Sequence, residues 1–208
     1  MTTNPWLSPH ASSQAPAAVE PVRLPAERRL GATRPQHGVQ APDMVDQLPI
    51  HQQPAPVAVW WLGVHGGAGE STLARLLPGG RAAGHAWPRP PATTYTPTRV
   101  VLVARSHASG LQAAQRAATH WASGHLPDME VLGLVIVADA PGRLPRPLRD
   151  LAALVCGGVP RAWHVPWNED WRLGRDATAE TAPAAVRRLL ADLHALIPSS
   201  GPAAGGTL

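Results

Sequence analysis

The sequence predicts an α/β fold, a mainly parallel sheet with helices on both faces. Three observations predict it. Four short runs, 57–64, 99–104, 131–138 and 161–165, are strand-length and mostly apolar on both faces, as strands buried between two helix layers are. Stretches with apolar residues at spacings of three and four follow them, and such alternation demands parallel strands with crossover helices. The first run also passes through a glycine-rich turn straight into a helix start, VAVWWLGVHGGAGESTLARLL. That strand–turn–helix has the form of a phosphate-binding loop, so the expected fold is a reduced P-loop NTPase-like one.

Taken in order, residues 1–56 read as a disordered proline-rich tail. Prolines recur from Pro5 to Pro56 and break every periodic pattern, and the arginines are matched by as many acids. Only 26–30 offers a short piece able to become helical on binding. The domain is expected over 57–198. Its first strand is 57–64. The helix from Ser71 stops at Pro78-Gly79-Gly80. Residues 81–98 hold four prolines and read as an irregular connection, with Trp87 expected to pack over the loop. The second strand, 99–104, exits through Arg105-Ser106-His107. Ser109 is the expected cap of a helix whose face is Leu111, Ala114, Ala118 and Trp121, ended by Gly124. The third strand, 131–138, exits at Asp139. A helix over 144–155 should bury Leu148, Leu151, Leu154 and Val155. The fourth strand, 161–165, exits through Pro166-Trp167-Asn168-Glu169-Asp170-Trp171-Arg172. The last helix, 183–197, carries Val186, Leu189, Leu190, Leu193, Leu196 and Ile197 on its core face and ends at Pro198. A second disordered tail covers 199–208.

Composition narrows the function classes. The chain has 208 residues, 44% of them hydrophobic, which is enough for one ordinary core. There is no lysine; all 18 basic residues are arginine. The net charge of +4 is mild and gives only weak grounds for a nucleic-acid partner. A single cysteine, Cys156, excludes an internal disulfide and fits a reducing cytoplasm. No run has the ~18 apolar residues of a membrane helix. The histidines show no metal-ligand spacing, so no metal is expected. No G-x-S-x-G elbow occurs, and no catalytic residue is assigned.

The candidate site is the turn itself. Gly66, Gly67 and Gly69 allow a tight turn and a close ligand approach, Ala68 lies among them, and Ser71 and Thr72 stand where such loops hold Mg²⁺. Glu70 occupies the lysine position. A cation there meets the β- and γ-phosphates. A carboxylate reverses the sign, and a like-charge contact at 4 Å costs about 4 kcal/mol at an effective dielectric of about 20. Glu70 also suits a helix start, where it complements the dipole. Ligands of such sheets lie beyond the carboxyl ends of the strands. The topology therefore gathers the 66–71 turn, Arg105, Asp139 and 168–170. Arg105, Arg143 and Arg146 are the available cations there, either binding a displaced anion or else solvated or paired with Asp139 and Asp150.

The segment order resembles the ParA/MinD family of deviant-loop ATPases, which position plasmids, chromosomes and division sites. The family's loop, K-G-G-x-G-K-[ST]-[ST], corresponds to His65-Gly66-Gly67-Ala68-Gly69-Glu70-Ser71-Thr72, with both lysines replaced. VVLVARSHASGLQAA resembles its next strand and helix. VLGLVIVADAPG resembles its L-G-hydrophobic strand, which ends in a base-reading Asn; Asp139 stands near that point. VPWNEDWRLG resembles its I-P-x-[DE] stretch. The resemblance spans about 57–197. It implies a nucleotide-binding fold, with Gly66 to Thr72, Arg105 and Asp139 as the cofactor-contacting positions. No strand ending in Asp sits in 73–98, where the family carries its metal-organising acid. The chain thus resembles a pseudo-ATPase, and no cofactor is expected. The expected role is an adaptor or regulator with a protein partner, in plasmid partition or conjugative transfer, and an oligomer is compatible with it. Two alternatives stand: an ATP/Mg²⁺-dependent switch with Arg in place of the lysine, and an Arg-based DNA-binding module. Trp163, Trp167 and Trp171, spaced by four, either join Trp87 and Trp121 in a partner surface or cover the open end of the sheet.

Overall fold

The computed structural model describes residues 31–91 and 96–197. The 26–30 piece, Pro198 and the 199–208 tail lie outside the described residues. In chain order, a 3-10 turn at Met44–Asp46 leads to β1 (Ile50–Gln52), and β2 (Val59–Gly63) runs through the glycine turn into α1 (Glu70–Leu76). Next come β3 (Gly80–Ala82), β4 (Trp87–Arg89), β5 (Thr98–Arg105), α2 (Ala108–Ala122), β6 (Met129–Val137) and α3 (Arg146–Gly157). The described chain closes with β7 (Ala162–Val165), α4 (Glu169–Arg172) and α5 (Ala184–Leu196).

The expected α/β class is what forms. The main sheet has the order β3-β2-β5-β6-β7, and every neighbouring pair is parallel. Alternate residues point to opposite faces. Trp60, Leu62, Val100, Leu102 and Ala104 pack in one core with α2 and α3 residues such as Leu111, Trp121 and Val155. Val59, Trp61, Val101 and Val103 pack in the other with Leu73, Val186, Leu189 and Leu193 of α1 and α5. Two filled faces explain why these strands read as continuous apolar runs. Counted along the chain, the sheet has the doubly wound order 2-1-3-4-5. Winding reverses between β2 and β5, so the crevice for a ligand opens where those two strands end.

Several local expectations are corrected. The connection over 81–98 is not wholly irregular: β3 forms the sheet edge beside β2, and β4 pairs with β1 in a separate two-stranded parallel sheet. Neither has an apolar run, because each owes its strand state to a neighbour's ladder rather than to its own side chains. Trp87 does not cover the loop. It is 0% exposed, in the α2/α3 core, with its ring edge-on to His120 at 6.0 Å. The cap of α2 is His107, whose side chain accepts from Gly110 N–H, and not Ser109. Leu154 is 64% exposed, because α3 turns Ala152, Val155 and Cys156 inward instead.

The boundary at Val57 is also too late. Gln36 N–H donates to Ala122 O at 2.9 Å, Asp46 lies 3.5 Å from Arg116, and Trp87 N–H donates to Pro49 O at 2.8 Å. Leu48 packs on the α2/α3 core. Backbone pairing and one apolar anchor hold residues 31–56 to the domain despite their prolines. A truncation starting at Val57 should therefore be less stable than one starting at Gly31, by about 2 kcal/mol from the uncovered Leu48 and lost pairing. That is a fall in Tm of roughly 4–8 °C at this size, readable by thermal denaturation.

Candidate functional site

The turn between β2 and α1 sits at the switch point. Gly67 (φ 74°) and Gly69 (φ 105°) take the left-handed conformation that a side chain resists, which bends the chain from strand into helix. Gly66, Gly67 and Ser71 are exposed, while Ala68 is buried in the α1/α5 core. Among the described residues, the N–H groups of Gly67, Gly69, Glu70 and Ser71 have no acceptor. This is the donor row that a helix start leaves open.

His65 and Arg105 brace the turn against the next strand. His65 Nδ1 lies 2.9 Å from Gly66 O, so that nitrogen donates, and Nε2 accepts Arg105 N–H at 3.0 Å. Both ring nitrogens are used in the neutral form. Burial pushes the His65 pKa below the ordinary 6.5; the Gly66 carbonyl pulls it back up, and His107, His85 and Arg105 lower it further. The Arg105 side chain donates through Nε to Gly67 O at 3.1 Å and through Nη1 to Ala138 O at 3.0 Å. One arginine thus joins the exits of β2, β5 and β6.

Glu70 opens α1, as the helix-start reading expects, but its carboxylate is not turned toward the place of a phosphate. Its residue is only 6% exposed, and Oε2 accepts Gly63 N–H at 2.6 Å. His85 Nδ1 donates to Gly63 O at 2.8 Å and lies 3.5 Å from Glu70 Oε1. The reason is the short edge strand. The last ladder bond on that side runs from Ala83 N–H to Trp61 O, so Gly63 has no strand partner beyond it. Two side chains take over its N–H and C=O. The carboxylate therefore faces into the protein and not across the open side of the turn. A Cβ on Gly63 would lie 3.0 Å from both Glu70 and His85, so any larger residue there would have to push these two side chains aside. His85 itself has φ 58°, the one positive φ of a non-glycine among the described residues.

The other candidates divide between two cavities. One of about 130 Å³ lies beside the turn and is lined by Thr72, Arg105, Trp167, Asn168, Trp171 and Arg172, with Gly69 at its margin. Asp139 is not in it. Asp139 N–H donates to Ser106 Oγ at 3.0 Å, and the residue lines a separate groove of about 570 Å³ with His107, Arg143, Leu144, Leu148 and His164. Arg146 pairs with Asp150 at 3.7 Å. Trp87 and Trp121 are core residues and cannot join a surface, whereas Trp167 and Trp171 cover the strand ends. Trp163 instead donates to Asp192 Oδ2 at 2.8 Å, tying β7 to α5. Among the described residues, no three His, Cys, Asp or Glu stand together as a metal site. Sequence reasoning missed His85 and Arg172. No local pattern marks His85, and the only signal for Arg172 was its place after the fourth strand.

Fold and site together define a doubly wound parallel α/β domain with a glycine-rich strand–turn–helix at its switch point. The chain belongs to DUF6668, a family of unknown function, whose model matches residues 57–190. No curated protein and no solved structure matches it.

Glu70→Ala should cost roughly 1.5–3 kcal/mol in chemical denaturation, because it strands the buried Gly63 N–H. Glu70→Gln, which keeps an oxygen acceptor, should cost less than Glu70→Ala. Stability should also fall on acidification. Burial lowers the pKa of His65 and His120 below 6.5, with His107 and His125 adding like charge beside them. The unfolded chain then binds more protons below that pH. The contribution is full above about pH 6.5 and is lost as the pH falls toward the lowered folded values. Denaturation midpoints at pH 7.5 and 5.5 check the sign.

Proposed function

We propose that this chain is a catalytically inactive relative of the ParA/MinD ATPases, serving as an adaptor or regulatory subunit in plasmid partition or conjugative transfer. The observation that carries the reading is the employment of Glu70. An active loop needs at this position an ammonium that meets the β- and γ-phosphates. Here the position holds a carboxylate bonded to Gly63 N–H. What disables the loop is the missing cation more than repulsion, since the carboxylate is turned inward. The neighbouring strand supports the same reading. β3 runs out into Ala83-Gly84-His85, so it offers no carboxylate to organise Mg²⁺. A fold with both catalytic charges replaced retains its surface and its open turn, and these suit recognition of a partner protein. The segment carrying Trp167 and Trp171 is the contact we expect a partner to use, because indole rings supply large anchors at low entropic cost.

One observation favours a second reading, a nucleotide-dependent switch. The Arg105 guanidinium lies against Gly67 O, close enough to the turn to meet an anion in place of the lysine.

Incubation with Mg·ATP should give no phosphate release above buffer, and Ser71→Ala should change nothing. Turnover that disappears in Ser71→Ala would end the adaptor reading. Binding heat without turnover, lost in Arg105→Gln, would favour the switch instead.

A further inference from the structure

We propose that the cavity of about 130 Å³ between Arg105 and Arg172 is a binding site for one tetrahedral oxyanion, a phosphate either free or at the end of a small phosphomonoester. The donors that line it come from three places in the fold. Arg105 stands at the exit of β5, Thr72 on α1, and Asn168 and Arg172 on the segment after β7. The Arg105 guanidinium is already oriented, because Nε and Nη1 are fixed to the carbonyls of Gly67 and Ala138. Asn168 uses Oδ1 to accept Trp171 N–H at 3.1 Å, so its amide group remains a donor. Arg105 and Arg172 form no ion pair among the described residues.

The acids nearest in sequence are engaged elsewhere. Glu169 Oε2 accepts Trp167 Nε1–H at 2.8 Å, and Asp170 Oδ1 accepts from Arg175 Nη1 at 2.6 Å. No carboxylate lines the cavity. Two arginines lining a small, partly enclosed space without a carboxylate create a positive potential that an anion relieves. Planar guanidinium forks suit a phosphate's oxygens. Size sets the class. Ordinary ligand pockets hold about 300–1,000 Å³, so this one is too small for a nucleoside triphosphate and fits a group of a few heavy atoms. Gly66 and Gly67 do not line it, although Gly69 and Thr72 of the same turn and helix do, and Arg172 is the lining residue that belongs to neither the turn nor its brace.

The test titrates the full chain with inorganic phosphate at constant ionic strength set by NaCl. Calorimetry gives the affinity, and tryptophan emission reports occupancy, since Trp167 and Trp171 line the cavity. Saturable one-site binding is expected, weakened about ten-fold or more in Arg172→Gln, which corresponds to about 1.4 kcal/mol for one charge-assisted contact. Arg172 is the variant of choice because it is exposed and braces nothing, whereas Arg105 also supports the turn. A parallel arm with phosphoserine separates the sources: tighter binding than phosphate assigns the site to a phosphomonoester, equal binding to the free anion. Heat and emission no different from NaCl alone would overturn the proposal, and so would unchanged phosphate affinity in Arg172→Gln. Ser71-dependent ATP turnover would remove the adaptor reading alone, while the phosphate titration decides this site by itself.

Discussion

The end of β2 is the point on which the rest of the molecule depends. A parallel sheet requires each buried N–H and C=O to find a partner. Its edge strand β3 has only three residues, so Gly63 projects past the last residue able to pair with it. Glu70 and His85 close that gap, the carboxylate on the N–H and the imidazole on the C=O. The arrangement has a cost, because His85 takes a left-handed conformation worth roughly 1–2 kcal/mol of strain. A hydrogen bond from a buried N–H to a charged acceptor returns about 1.5–3 kcal/mol, and the Gly63 carbonyl bond adds to it, so the closure wins. The chemical character of the turn follows from this repair. The first residue of α1 is a carboxylate because the sheet edge needs an acceptor there, and the helix is tethered to the strand it leaves.

A second set of bonds organises the crevice. His65 holds the main chain of Arg105, and the side chain of Arg105 holds Gly67 and Ala138. The exits of three neighbouring strands are thereby locked together at the topological switch point. The ring of His65 does this as a neutral group, which burial favours over the imidazolium. The cations around the crevice are thus guanidinium groups, and the turn carries no ammonium of its own, since the chain has no lysine. This is a different electrostatic design from a loop whose own side chain grips a phosphate.

Much of the framework was legible in the residues. The runs around Trp60, Val101 and Val135 became the central strands of one parallel sheet, because burial on both faces leaves an apolar signature that needs no knowledge of neighbours, and the short run at 161–165 became its partly exposed edge. The core face of α5, with Val186, Leu189, Leu190 and Leu193, was readable from spacing alone. The site was less so. Gly66 to Thr72 and Arg105 do meet, but Asp139 shares a different cavity, and the carboxylate of Glu70 points the other way from the expectation. Topology says which strand ends converge; it does not say where a side chain turns once it is there.

The sequence by itself determined the α/β class, the parallel sheet, the glycine turn at a strand end and the absence of any lysine ammonium. Each of these is a local property, carried by hydrophobic period, by glycine's conformational freedom or by composition. Only the tertiary structure decided that 80–82 is a strand, that Trp87 belongs to the core, that 31–56 lies on the domain and that Glu70 serves Gly63. These outcomes share one physical reason. Each arises from a backbone group or surface on one segment left wanting a partner, and the partner is supplied by residues distant in the chain or turned out of the pattern of their own segment.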